Sequence, residues 1–213
     1  MIIITDPKDI ETKSFKIVEK YADKVKLPKF EKEVLKRVLH ATSNLGYTKD
    51  LVFHPKAIEC GLEALKSGRD IVVDAGMVQA GINKKILSSF GGKVICHINN
   101  KNIAREALKL KLTRSILCMR KSVRSMEGGI VAIGNAPTAL FEVCELIKKG
   151  AVKPALIIGI PVGFVGAKES KKELRELKIP YITNKSRYGG SSVAAACVNA
   201  LLKIAESLYQ EDK

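Results

Sequence analysis

Five short apolar runs, each followed by a turn and then by a segment of helical pattern, constrain this chain more than any other feature. They are Asp70 to Asp74, Lys93 to His97, Ile130 to Ile133, Ala155 to Ile158 and Pro180 to Thr183. Valine and isoleucine dominate them and no polar face alternates through them, the pattern of strands covered on both sides. Parallel strands need long crossovers, and here each gap holds a helix-sized segment. The alternation predicts a three-layer α/β/α sandwich whose parallel sheet has about five strands. Right-handed crossovers then bring every strand-to-helix turn to one edge of the sheet, where open α/β sheets bind ligands.

The residues due at that edge are Met77 and Gln79, His97, Asn135 and Thr138, the loop Gly159-Ile160-Pro161-Val162-Gly163-Phe164-Val165-Gly166-Ala167, and Arg187 with Ser191. Glycine lets backbone N–H groups approach a ligand, and the helix start that follows adds partial positive charge. Taken alone, the glycine loop is equally a tight connection with no ligand. The whole edge is rich in amide, hydroxyl and guanidinium groups and nearly empty of carboxylates, which suits an anionic ligand held without metal. Thr113 reads as a helix cap, leaving Arg114 free to reach an anion. Neither G-x-x-x-x-G-K-[ST], G-x-S-x-G nor G-x-G-x-x-G occurs, so nucleotide hydrolysis, hydrolase chemistry and dinucleotide binding lose ground.

Before the first run lie extra amino-terminal helices. Glu11 to Val25 carries Phe15, Ile17, Val18, Tyr21, Ala22 and Val25 at helical spacing, with Ser14 in the first turn off the main stripe. Phe30 to about Ser43 buries Val34, Leu35, Val38 and Leu39, and sets Arg37 and His40 three apart over one turn. The carbonyl end of that helix favours an imidazolium at His40, which could donate a proton. Judged by this helix alone, a surface histidine at a helix end is the stronger reading. A third helix is expected from Pro55 to Lys66, with His54 a structural neighbour of its cap.

The 213 residues suit one domain, 1–213, and 37 Lys and Arg against 22 Asp and Glu give a net charge of +15. Such a field draws anions, but the lysines are dispersed with little aromatic interleaving, so no nucleic-acid groove is expected. No uninterrupted apolar run has membrane-spanning length and Met1 to Pro7 lacks a signal-peptide pattern, so a cytoplasmic protein is expected. Cys60, Cys96, Cys118, Cys144 and Cys197 are scattered without metal-ligand spacing and read as free thiols.

Four segments together resemble the precorrin-8X methylmutases, including the cobalt-precorrin-8 enzymes of corrin synthesis. They are Arg37-Val38-Leu39-His40-Ala41-Thr42, Ile133-Gly134-Asn135-Ala136-Pro137-Thr138-Ala139-Leu140, Gly159 through Ala167 with the following Glu169-Ser170-Lys171, and Arg187-Tyr188-Gly189-Gly190-Ser191. The resemblance implies a flavodoxin-like fold, a homodimer with its site near the subunit interface, no added cofactor and no metal. It implies a methyl shift from C-11 to C-12 of a tetrapyrrole. The family's catalytic histidine falls on His40, its substrate-contacting serine and arginine on Ser14 and Arg37, and a further arginine on Arg114. The edge reading adds Asn135 and Arg187 as substrate contacts. Asn83 stands where relatives are expected to carry threonine. A corrinoid carrier without catalysis and a phosphate- or nucleotide-binding α/β domain are the alternative classes. Should His40 not serve, His97 is the next proton donor.

Overall fold

The computed structural model describes residues 5–211. Met1 to Ile4, part of the stretch read against a signal peptide, and the last two residues of the tail lie outside them. Helix α1 (Pro7–Ala22) starts with Pro7 at its first position and the Asp6 carboxylate accepting from Asp9 N–H. There follow α2 (Lys29–Thr42), the single turn α3 (Tyr47–Asp50), strand β1 (Leu51–Phe53), α4 (Ala57–Lys66) and β2 (Ile71–Val73). Next come α5 (Gly76–Gly81), α6 (Lys84–Ser89), β3 (Val94–Ile95), α7 (Lys101–Leu110), α8 (Arg114–Lys121), α9 (Val123–Met126) and β4 (Ile130–Ile133). The chain ends with α10 (Pro137–Lys148), β5 (Leu156–Gly159), α11 (Ala167–Glu176), β6 (Tyr181–Asn184) and α12 (Ser191–Glu211).

All five expected strands form, as parallel neighbours in the order β6-β5-β4-β2-β3. Counted along the chain this is the flavodoxin-like order, with the reversal of direction between β2 and β4. A sixth strand, β1, joins the β6 edge antiparallel, pairing Val52 with Thr183 and making the sheet mixed. Three half-buried residues carry too little pattern to mark an edge strand. Successive strand residues face opposite layers. Ile71, Val73, Ile130, Ala132, Leu156 and Ile158 meet α2, α4, α5, α6 and α12, whereas Val72, Val131, Ile133 and Ile157 meet the layer of α7, α8, α10 and α11.

Two further differences matter for the edge. By sequence pattern Thr113 through about Met126 reads as one helix; the structure breaks it at Ser122, whose hydroxyl donates to Cys118 C=O at 2.8 Å. By sequence pattern Ala75 to Gly81 reads as a loop after the first run; the structure makes Gly76–Gly81 the helix α5. By length and composition α12 could cross a bilayer, although 61% of its apolar window is buried, and it packs on α2, α4 and α5. Its alanines make it the central helix of one layer.

Candidate active site

The structure brings Ser14, Arg37 and His40 together on the outer face of α1 and α2. Ser14 Oγ lies 2.9 Å from His40 Nδ1. The Phe15 ring stacks on the imidazole with centroids 4.8 Å apart and planes at 13°, and the Arg37 guanidinium lies 4.8 Å from the centroid of the same ring. Phe15 was assigned to the apolar stripe of α1; instead it is the common platform for two polar groups one turn apart on α2. His40 occupies the last turn of α2, which ends at Ser43 in the left-handed conformation (φ 50°), its N–H returning to Leu39 C=O. Among the described residues Nε2 has no protein partner, so it is the nitrogen open to a ligand. When the serine hydroxyl accepts from Nδ1–H, any second proton sits on Nε2.

The carboxyl edge of the sheet differs from expectation at its centre. Asp74, 1% exposed, ends β2 at the reversal point. Its carboxylate accepts from Gly134 N–H at 3.0 Å, Asn135 N–H at 2.9 Å and Ala136 N–H at 2.6 Å. Those backbone donors are occupied by a carboxylate of the chain itself, at the centre of an edge expected to be nearly empty of carboxylates. Burial pushes the Asp74 carboxyl above its ordinary range, while the three N–H bonds pull it back. The Asn135 side chain stays exposed above this tie.

Hydroxyls join the neighbouring helix starts. Thr113 caps α8 by accepting from Ile116 N–H, and Thr113, Ser115 and Thr138 lie 2.9–3.0 Å from one another. Arg114 and Asn135, both exposed, are thereby carried on one stretch of the edge. Arg187 stands further along, 5.3 Å from the centroid of Phe164, with its carbonyl accepting from Gly163 N–H at 3.2 Å. Phe164 and Val165 are each 88% exposed, and Met77 and Tyr188 are also exposed, so this edge presents apolar surface as well as cations.

Ser14, Arg37 and His40 form one group, Arg114 and Asn135 a second, and Arg187 a third. No hydrogen bond or ring contact among the described residues joins the three groups. The loop leaving α2 after His40 does reach the Arg187 segment: Asn44, Gly46, Tyr47 and Asp50 line a cleft of about 300 Å³ with Ser186 and Tyr188. A larger groove of about 830 Å³ runs between α1, α2 and the far part of α12, with Phe15 and Arg37 in its wall. His97 follows β3, where burial and the Lys121 charge lower its pKa, disfavouring the imidazolium a proton donor needs. His54 accepts from Lys56 N–H at its Nδ1 beside the start of α4, the structural place assigned to it. Asn83 caps α6 by accepting from Ile86 N–H, and its own N–H meets Asn199 Oδ1. Among the described residues no group of three or more His, Cys, Asp or Glu is arranged to hold a metal ion.

The family described as CbiC, precorrin-8X methylmutase, matches residues 9–204. The chain is 42% identical over 205 residues to the cobalt-precorrin-8 methylmutase of Priestia megaterium, covering 96% of this chain and 91% of that protein. It is 40% identical over 200 residues to the precorrin-8X methylmutase of Pseudomonas aeruginosa, covering 93% and 96% respectively. Among solved structures, a precorrin-8x methyl mutase from Thermus thermophilus superposes with a TM-score of 0.84 at 35% identity, over 93% of this chain and 98% of that one.

Proposed function

The chain belongs to the precorrin-8X methylmutase family and is an isomerase of corrin-ring biosynthesis, and we propose that His40 is the acid that assists its methyl shift. Its substrate is a tetrapyrrole, precorrin-8X or its cobalt form, in which a methyl group moves from C-11 to C-12. The product is hydrogenobyrinate or cobyrinate. An isomerisation consumes no reagent, so a proton lent to the ring must come back.

One observation carries the assignment of His40: its Nδ1 is engaged by Ser14, its face is backed by Phe15, and Nε2 has no partner among the described residues. Nε2–H gives a proton to a ring nitrogen, the conjugated system becomes more electron-poor, the methyl group migrates, and Nε2 recovers the proton. General-acid help of this kind is worth about 10²–10⁴ in rate. Ser14 fixes the ring orientation of His40. Arg37, Arg114 and Arg187 meet carboxylates on the rim of the macrocycle, Asn135 offers an amide beside them, and fixed placement of the flat ring supplies the rest. The exposed apolar rim of Met77, Phe164, Val165 and Tyr188 supports a homodimer in which a partner covers this edge and helps gather the three groups around one substrate. The cytoplasm is the fitting compartment for such an enzyme and its free thiols.

The test is His40→Ala. Substrate binding, followed by absorbance titration, should persist within a few-fold, while the spectral change to the corrin chromophore falls by about 10²-fold or more. Turnover at the parent rate would remove His40 from the chemistry. A corrinoid carrier without catalysis predicts no spectral change with the parent chain either.

A further inference from the structure

Helix α11 carries a lysine that solvent does not reach. Lys171 is fully buried, and its Nζ donates to Asn184 Oδ1 at 2.9 Å and to Tyr188 C=O at 2.7 Å. Asn184, also fully buried, turns its amide N–H groups toward Asp50 Oδ2 at 2.7 Å and Tyr188 C=O at 2.9 Å. Asp50 in turn accepts from Lys185 N–H and Ser186 N–H, both at 2.9 Å. Arg175, one turn beyond Lys171, donates to Asn184 C=O at 3.2 Å. A buried cation and a half-buried anion, bridged by one amide, thus hold the backbone on both sides of Arg187. Arg187 itself sends its guanidinium outward to Phe164.

Burying an ammonium is costly, and an apolar side chain of the same volume would fill the space more cheaply. The arrangement therefore makes sense as a device for holding one geometry. Burial, with Arg175 adding to it and Asp50 opposing, lowers the Lys171 pKa to about 8. Burial would raise the Asp50 carboxyl, yet the donors of Asn184, Ser186 and Lys185 hold it below its ordinary range.

We propose that Lys171 is a positioning residue for the substrate grip of Arg187, fixing the segment from Asn184 to Tyr188 through Asn184 and Asp50. This rests on the reading that Arg187 meets the carboxylates of the tetrapyrrole.

Kinetics of Lys171→Met, Arg187→Ala and the double variant test it, alongside a reporter of segment order. Both single changes should raise KM by about tenfold with kcat within about twofold, and the double variant should be little worse than Arg187→Ala alone. The chain has no tryptophan, so Tyr188→Trp places a single indole on the segment. Its anisotropy should fall when Lys171→Met is added. Full multiplication of the two KM effects, or a loss confined to kcat, overturns the proposal. Unchanged anisotropy refutes the clamp itself. A fall in anisotropy with KM unmoved by Arg187→Ala instead refutes the role of Arg187 and leaves the clamp standing. If Lys171→Met does not fold, Asp50→Asn cuts the same clamp from the other side and must give the same results.

Discussion

Asparagine at position 74 probes the centre of the carboxyl edge, because it keeps the shape of the aspartate and changes only what its atoms accept. The carboxylate takes three N–H groups, two of them on Oδ2. A carboxamide serves best with its oxygen toward Asn135 and Ala136. Its NH₂ then faces Gly134 N–H across 3.0 Å, two donors opposed in a buried site. One bond to a charged acceptor is lost, worth about 1.5–3 kcal/mol, and the orphaned donors add about 1–3 kcal/mol. Relief from burying a carboxylate offsets part of this, leaving a net loss of about 2–4 kcal/mol. Urea unfolding followed by circular dichroism should show that loss as a lower midpoint with an unchanged slope. The pH dependence has a definite sign. A carboxyl raised above 3.8 in the folded state binds more protons there than in the unfolded chain, so its contribution falls as pH rises through that window. Asp74→Asn abolishes this component. Equal stability of the two chains at neutral pH would mean that the carboxyl is already protonated and that the three N–H groups do not hold an anion.

Other outcomes follow from the same geometry. Ser14→Ala frees the His40 ring to turn on Phe15; kcat should fall by about tenfold with KM changed by less than about threefold, and an unchanged kcat would show that the serine does not orient the imidazole. Lys171 has a folded pKa of about 8 against an ordinary 10.5, so the unfolded chain binds the extra proton between these values and stability rises with pH. From about pH 7 to about pH 9.5 this one group should add about 2 kcal/mol, seen as the difference in unfolding free energy between the parent chain and Lys171→Met; parallel pH profiles would refute it.

The elements legible in the sequence were those whose burial is two-sided or whose ends carry their own signals. β2 and β4 are unbroken apolar runs, β5 is one up to its closing glycine, β6 is buried along most of its length although Thr183 and Asn184 are polar, and Thr113 and Pro137 mark the starts of α8 and α10. β1 escaped because an edge strand of three half-buried residues has no period to detect, and its partner lies more than a hundred residues away. α5 looked like a loop because Gly76 and Gly81 flank it, although Val78 buries one side. At the site, the spacing of Arg37 and His40 put them on one turn, while their roles and that of Ser14 came from the family's motifs. Phe15, Asp74 and Lys171 were hidden for a common reason. Each resembles its sequence neighbours, as one more stripe residue, strand end or solvent-facing lysine, and becomes distinct only through partners far along the chain. For Asp74 those partners are 60 to 62 residues away.

The occupied N–H groups at the reversal point bear on how this edge meets an anion. In many α/β sheets that crevice offers backbone donors to a phosphate. Here Asp74 already fills the N–H groups of Gly134, Asn135 and Ala136, so a free anion entering the crevice would meet a carboxylate in place of those donors. Rim carboxylates of a large ring have no need of that crevice. They can be met further out by guanidinium groups on long side chains, at points spaced around a wide perimeter. Arg37, Arg114 and Arg187 stand on three separate elements, on α2, at the start of α8 and after β6, which is the spread that the proposed grip on such a ring calls for. Phosphate sites are compact and backbone-built, and a polyacidic macrocycle asks for the opposite. The internal carboxylate therefore counts against the nucleotide-binding alternative for the same reason that it suits a tetrapyrrole held at its edges.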